Sequence, residues 1–203
     1  MRIILVYSAK GGSGKTTTAR ELAVAATLAG RRVAMIDLDP QGSLTSWYGR
    51  READAPALVT AAPGAWQPIA DAGFDELVID APPGVPPWLE QVAMEADAVL
   101  VPVRPSPDDL VAAAATAGML ARHPAWAFLL TQAPSRSRLA DGTVRQLAAI
   151  GRLAPTTLGF RTDYPTAAVS GTAACEYPGT KSFEEVTQLR TYVDMLGAKH
   201  VPT

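Results

Sequence analysis

Cysteine is nearly absent from this chain of 203 residues, which contains Cys175 and no other thiol. One thiol excludes an intrachain disulfide, a zinc site built from several thiolates and an iron–sulfur cluster held by paired cysteines of one chain. The composition therefore fits a reducing, cytoplasmic compartment.

Long hydrophobic runs are missing as well. No stretch approaches the roughly 20 apolar residues that span a bilayer, and the apolar run Ile3–Tyr7 is far too short for a signal-peptide core. Gly197 and Pro202 interrupt the C-terminal segment, where an amphipathic membrane helix would need to continue. We expect a soluble protein that has no membrane partner.

Lysine is scarce: the 18 basic residues include Lys10, Lys15, Lys181 and Lys199 as the only lysines, and 20 acidic residues give a net charge of −2. This balance argues against a uniformly basic coat for nucleic acid. Hydrophobic residues make up 48% of the chain, which predicts an ordered core. The length suits one ordinary domain, so we expect residues 1–203 to form a single domain.

Short apolar runs alternate with longer helical patterns along the chain. The runs predict strands over 3–7, 33–37, 76–80, 98–103 and 127–131, and the patterns predict helices over 16–29, 87–95, 107–122, 142–152 and 182–196. Pro- and Gly-rich stretches at 53–68 and 81–87 are interpreted as loops. We predict an α/β fold with a mostly parallel central sheet and helices on both faces.

A glycine-rich segment, Ser8–Thr17, lies between the first predicted strand and the first predicted helix. Its glycines let backbone N–H groups surround an anion, Lys15 reaches the outer phosphates, and the Thr16 hydroxyl can bind Mg²⁺. Ala9 stands where the usual pattern begins with glycine. The segment predicts a phosphate-binding loop (P-loop), and its candidate binding residues are Lys10, Gly11, Gly12, Ser13, Gly14, Lys15, Thr16 and Thr17.

Carboxylates follow two of the predicted strands. Asp37 and Asp39 end the strand over 33–37, and Asp80 ends the strand over 76–80 in the manner of a Walker B element. Ligands of parallel α/β sheets bind at the carboxyl ends of the strands, so these acids are candidates for Mg²⁺ binding. Acids that only cap a helix or a turn remain the alternative.

The loop contains Lys10 in addition to Lys15, and this lysine narrows the family of P-loop proteins that the motif indicates. The string KGGSGKTT resembles the deviant Walker A motif of the ParA/MinD superfamily of P-loop ATPases, and the resemblance covers nearly the whole chain. It implies that Lys10 crosses a dimer interface to the nucleotide of the partner subunit. It also implies that Asp39 orients the attacking water, that Asp37 lies near the Mg²⁺ shell with Thr16 and Asp80, and that the loop after Asp80 senses the γ-phosphate.

The guanine signature Asn-Lys-x-Asp is absent, so ATP with Mg²⁺ is preferred over GTP. Relatives contact adenine where Thr131 and Gln132 stand, although loop capping without base contact is an equal alternative. The chain looks most like the short, ParF-type plasmid partition ATPases, which have no separate DNA-binding domain. Nitrogenase iron protein and cluster-carrying scaffold ATPases are excluded because they need at least two cysteines.

The resemblance implies a slow ATPase that forms a homodimeric nucleotide sandwich and possible polymers, binds DNA non-specifically, and associates with the nucleoid when ATP-bound. A small centromere-binding adaptor is expected to stimulate it. Between residues 122 and 162 six arginines stand against one acid, and the candidates for DNA binding are Arg136, Arg138, Arg161 and Lys181. Ordinary surface arginines are the alternative. The other functions considered are positioning of another cargo and an ATP-dependent ligase resembling dethiobiotin synthetase.

Overall fold

A single sheet of seven parallel strands organises the computed structural model, which describes residues 1–196. The strands lie in the order β3-β2-β4-β1-β5-β6-β7. Their bounds are β1 (Arg2–Val6), β2 (Val33–Asp37), β3 (Ala57–Leu58), β4 (Glu76–Asp80), β5 (Ala98–Val103), β6 (Trp126–Ala133) and β7 (Leu153–Gly159). The predicted parallel α/β fold is confirmed.

Helices cover both faces of this sheet. Their bounds are α1 (Lys15–Leu28), α2 (Ser43–Tyr48), α3 (Gln67–Asp71), α4 (Leu89–Glu95), α5 (Pro107–Leu120), α6 (Arg138–Ile150), α7 (Asp163–Val169) and α8 (Lys181–Leu196), with a 3₁₀ turn at Ala174–Glu176. No helix within residues 1–196 is long and apolar enough to cross a membrane.

The core consists of two layers because successive side chains of a strand point to opposite faces. Leu5 of β1 joins one buried cluster with residues of α3, α4, α5 and α6. Its neighbours Ile4 and Val6 join the other cluster, with residues of α1, α2, α7 and α8. The central strands are apolar at almost every position because both of their faces are covered.

The predicted bounds of β2, β4 and β5 agree with the structure, and those of β1 and β6 differ by one or two residues. Helix α6 begins at Arg138 rather than Gly142, because the Ser137 side chain accepts a hydrogen bond from Ala140 N (3.3 Å) and caps the helix there. The predicted loop over 53–68 contains β3 and the start of α3. The C-terminal segment around Gly197 and Pro202 lies outside the described residues.

The strand order reverses beside β1, and this reversal positions the candidate site. Strand β1 pairs with β4 on one side and with β5 on the other, so the chain that leaves Val6 enters the crevice at the carboxyl edge of the sheet. Asp80 lies in register with both Val6 and Asp37. The P-loop and the strand-end acids therefore share one edge.

Candidate nucleotide-binding site

The P-loop turns tightly between β1 and α1. Gly12 (φ +71°) and Gly14 (φ +94°) adopt left-handed backbone conformations that glycine tolerates best, and Gly14 is the N-cap of α1. The first N–H groups of a helix have no partner within the helix, and its dipole is positive at this end. The start of α1 thus offers an anion backbone N–H donors and a positive helix end.

Lys15 opens α1 and lies folded over the loop. Its side chain is buried, and Nζ donates a hydrogen bond to the carbonyl oxygen of Lys10 (3.0 Å). Burial lowers the pKa of Lys15, whereas the carboxylates of Asp80 and Asp39 act to raise it. The ammonium group is therefore within electrostatic reach of both predicted acidic elements.

Asp80 is fully buried, and neither carboxylate oxygen has a hydrogen-bond partner within residues 1–196. Burial raises the pKa of Asp80 to about 7, although the nearby Thr16 hydroxyl and the Lys15 ammonium act to lower it. Its register neighbour Asp37 differs, because Oδ1 accepts from Asp39 N (3.1 Å) and Oδ2 accepts from Thr45 N (2.8 Å) and Thr45 Oγ1 (3.0 Å). Asp37 holds the start of α2, whereas Asp80 is a carboxylate without a structural role of that kind.

The oxygen donors at this edge suit Mg²⁺. The buried carboxylate of Asp80 and the half-buried Thr16 hydroxyl are hard oxygen ligands of the kind that Mg²⁺ takes together with phosphate oxygens and water. The described part of the chain contains no cluster of three or more His, Cys, Asp or Glu side chains that could hold a metal. The two oxygen donors fit an ion that binds together with the phosphate oxygens of a nucleotide.

A cavity of about 510 Å³ opens over the P-loop. Asp39 lines this cavity together with the P-loop. Asp39 Oδ1 accepts a hydrogen bond from Gln41 N (2.9 Å). The sequence-predicted residues that line it are Gly11, Gly12, Gly14, Lys15, Thr16, Thr17, Asp39 and Gln132. Lys10, Ser13, Asp37, Asp80 and Thr131 are not among its lining residues. Arg20, Ser43, Trp47, Arg50 and Pro83 also line it and were not predicted.

Thr131 and Gln132, the predicted adenine contacts, support the P-loop from the end of β6. Thr131 Oγ1 donates to the carbonyl oxygen of Ser13 (2.7 Å), and Gln132 Nε2 donates to that of Gly12 (2.7 Å). Gln132 does this with φ +51°, a rare conformation for a residue other than glycine. These bonds are the loop-capping alternative, and contact of either residue with adenine stays a prediction.

A second cavity, of about 470 Å³, adjoins the first and shares Gly14, Thr17, Arg20, Gln132 and Ala168 with it. The predicted residue Thr131 lines this second cavity. Its far wall is the segment that follows β7, which includes Gly159, Phe160, Arg161, Thr162 and Tyr164. Of this wall the sequence indicated only Arg161, as a DNA-binding candidate, because no strand is predicted over β7. The cavity has the size of a small-ligand pocket and continues from the phosphate site, as a nucleoside site would.

The loop after β4 is attached to the P-loop. Tyr7 Oη donates to the carbonyl oxygen of Gly84 (2.8 Å), and Gly84 N donates to the carbonyl oxygen of Ala9 (2.9 Å). Gly84 has φ +83°, so glycine suits this turn. The predicted sensor loop therefore contacts the start of the P-loop through Gly84, and its Pro83 lines the phosphate cavity.

The predicted DNA-binding residues fall into different environments. Arg136 and Arg138 are exposed at the start of α6, and Lys181 is exposed with Glu184 at 3.7 Å. Arg161 lines the second cavity and forms an ion pair with Glu185 (2.6 Å). Arg161 and Lys181 thus have acidic partners within the chain, whereas Arg136 and Arg138 form no ion pair within residues 1–196.

Comparisons with known proteins agree with this geometry. The profile of the CobQ/CobB/MinD/ParA nucleotide-binding domain matches residues 4–201. Maintenance of carboxysome distribution protein A of Halothiobacillus neapolitanus is 32% identical over 202 residues, which covers 92% of this chain and 93% of that protein. The chromosome-partitioning ATPase Soj of Thermus thermophilus is 34% identical over 137 residues, covering 51% of this chain and 55% of Soj. An ATP complex of Cyanothece McdA shares the fold, with a TM-score of 0.75, 20% identity and coverage of 100% of this chain and 99% of that one.

Proposed function

Since the chain belongs to the CobQ/CobB/MinD/ParA family of nucleotide-binding domains, we propose that it moves or partitions a cargo by an ATP-driven cycle of dimerisation and DNA binding. It is a ParA/MinD-like ATPase involved in positioning or partition, and it uses ATP with Mg²⁺. The observation that carries the proposal is the P-loop itself, in which Lys10 precedes the glycines and its carbonyl oxygen holds the buried Lys15 ammonium.

In the proposed reaction, water attacks the γ-phosphate and the bond to the β–γ bridging oxygen breaks, which yields ADP and phosphate. Asp39 is the residue proposed to orient this water, and its position in the lining of the phosphate cavity supports that role. Lys15 and the backbone donors of the loop would stabilise the negative charge. Mg²⁺, held by Thr16 and Asp80, would supply further neutralisation of that charge.

Dimerisation is proposed to complete the site. Lys10 lies at the start of the P-loop, is half-buried and is not among the residues that line the phosphate cavity of its own chain. A lysine in this position can serve the phosphates of a second copy facing the same edge, with anionic phosphate separating it from the other copy's Lys15. We therefore propose a homodimer with nucleotide between the subunits, and possible higher-order polymers.

DNA is proposed to bind the outer side of α6. Arg138 and Arg145 are both exposed and are two helical turns, roughly 10 Å, apart on one side of the helix. Arg136 lies just before α6, while Asp141 between the arginines lowers the local charge. A patch of this strength predicts weak, salt-sensitive binding that gains from duplication across a dimer. Lys181 is a further candidate, and Arg161 is left out because Glu185 binds it.

The cargo is proposed to be chosen by a small adaptor protein that stimulates hydrolysis. Plasmid or chromosome partition and the positioning of a protein compartment are the two candidate tasks. The carboxysome distribution protein favours the second, because its alignment spans 93% of that relative, whereas the Soj alignment spans 55%. ATP-loaded protein would associate with the nucleoid in the cytoplasm, and residues 1–203 would form one ATPase domain.

The proposal is tested by light scattering and DNA binding with MgATP and with MgADP. We expect dimers and DNA binding with ATP alone, and faster hydrolysis when DNA and an adaptor are added. Replacing Arg138 and Arg145 by alanine should weaken DNA binding. Arg122 is exposed in the turn that follows α5, and Arg122→Ala is the matched control. Tight, salt-resistant DNA binding by nucleotide-free monomer would contradict the proposal, and stimulation by a small carboxylate instead of DNA would support the ligase alternative.

A further inference from the structure

The wall of the second cavity depends on one carboxylate that lies outside the cavity. Glu185 of α8 accepts four hydrogen bonds, from Arg161 Nε (2.9 Å), Arg161 Nη2 (2.6 Å), Gly159 N (3.1 Å) and Tyr164 Oη (2.7 Å). All three donor residues line the cavity, and Glu185 does not. The Glu185 side chain thus supports the cavity wall from the side that faces away from the cavity.

The local packing leaves this arrangement little freedom. A Cβ on Gly159 would lie 3.1 Å from Glu185 Oε1 and 3.3 Å from Arg161 Nε, so the carboxylate fits closely against the bare backbone. Burial and the neighbouring carboxylate raise the pKa of Tyr164, which keeps its hydroxyl a donor. A second tie, from Ser182 Oγ to Asp163 Oδ2 (2.7 Å), attaches the same segment to the same helix.

The charge and the geometry of Glu185 distinguish its contacts from ordinary helix packing. A carboxylate that accepts from a guanidinium, a phenol and a backbone N–H fixes three directions at once, and hydrogen bonds to charged groups are the stronger kind. Neighbouring Glu184 is exposed and, within residues 1–196, its carboxylate forms an ion pair with Lys181 at 3.7 Å. Two adjacent glutamates of α8 therefore differ sharply in what they hold.

We propose that Glu185 is a positioning residue for nucleotide recognition: it sets the wall against which the base and ribose of ATP bind, while the P-loop binds the phosphates independently of it. This inference rests on the proposed function, because it takes the second cavity as the nucleoside site. It predicts that loss of the carboxylate weakens binding of the nucleoside part and leaves the polyphosphate part unchanged.

The test compares ATP with inorganic tripolyphosphate, both with Mg²⁺, by calorimetry on the full chain. Glu185→Gln should weaken ATP binding roughly tenfold or more and change tripolyphosphate binding less than about twofold. Glu184→Gln is the matched control and should change neither. If Glu185→Gln does not fold, as judged by circular dichroism, Tyr164→Phe removes one of the four bonds and should lower ATP affinity selectively, to a smaller extent.

The outcomes separate the two proposals. Unchanged ATP binding in Glu185→Gln, or an equal loss for ATP and tripolyphosphate, overturns the inference and leaves the ATPase proposal intact. Failure of the unaltered chain to bind ATP would instead remove the proposed function. A selective loss for ATP, which a merely structural role would not produce, supports the inference.

Discussion

Asp37 and Asp80 stand opposite each other at the ends of β2 and β4, yet within residues 1–196 only Asp37 has hydrogen-bond partners for its carboxylate. Burial raises the pKa of Asp80 from 3.8 to about 7. Between these values the folded chain holds a proton that the unfolded chain has released, so the free energy of unfolding falls as pH rises from about 4 to 7.

Asp80→Asn should therefore stabilise the nucleotide-free protein at pH 8, by on the order of 3 kcal/mol, and have little effect near pH 4. Thermal melting across this range measures it. Asp37→Asn is the matched control and should destabilise at pH 8, because it disturbs bonds to Thr45. A uniform loss of stability in Asp80→Asn at every pH would contradict the account.

Mg²⁺ binding should also depend on Asp80. Since a cation needs the ionised carboxylate, the Mg²⁺ dependence of ATP binding should weaken as pH falls below about 7. In Asp80→Asn most of the Mg²⁺ effect should be lost, and the pH dependence that remains should be that of the terminal phosphate of ATP itself. Calorimetric titrations of ATP at several Mg²⁺ concentrations and pH values measure both changes.

Substitutions of the two P-loop lysines should have different effects. Lys15→Ala removes the ammonium at the start of α1 and should abolish nucleotide binding. Lys10→Ala should leave binding nearly intact and impair ATP-dependent dimerisation or stimulated turnover, and Lys181→Ala should spare ATP binding altogether. Unchanged dimerisation and turnover in Lys10→Ala would show that the nucleotide sandwich does not operate here.

Thr131→Val keeps the shape of a buried side chain and removes its donor to the carbonyl oxygen of Ser13. An unmade buried hydrogen bond costs roughly 1 to 3 kcal/mol. Because the bond supports the P-loop, the variant should weaken the binding of ATP and of tripolyphosphate to a similar degree. This outcome is the opposite of the selectivity expected for Glu185→Gln, and a loss confined to ATP would assign Thr131 to the base instead.

Two glycines with positive φ form a matched pair for stability. Gly171 (φ +68°) has the Arg50 carbonyl oxygen 2.2 Å from the position of a Cβ, whereas Gly179 (φ +85°) has open space there. Gly179→Ala should cost roughly 1 to 2 kcal/mol from backbone strain, and Gly171→Ala should cost clearly more because backbone atoms must move. Urea denaturation measures the difference, and equal costs would show that the segment around Arg50 adjusts freely.

The sequence predicted best those parts of the candidate site in which the functional residues directly follow an apolar strand. The P-loop and the strand-end acids follow from glycines and carboxylates at the ends of apolar strands, and Asp39 lies with the loop as expected. Helix α5 begins at Pro107, the first residue of the helix predicted over 107–122, and Ser106 caps it by accepting a hydrogen bond from Asp109 N (3.2 Å).

The rest depended on tertiary contacts that no local pattern reveals. Strand β7 alternates between buried and less buried residues because it is an edge strand, and β3 has only two residues, so neither presents a long apolar run. The second cavity was missed with β7, and the difference between Asp37 and Asp80 arises from Thr45, which lies eight residues beyond Asp37.

The two outer strands also limit how copies of this chain can associate. An unpaired strand edge is a template for addition of another chain. Here one edge is only the two residues of β3, and the other, β7, contains exposed Pro155, which has no N–H to donate. Strand-by-strand growth of the sheet is therefore disfavoured at both ends, and a filament of this protein is expected to assemble through side chains on its helices and loops.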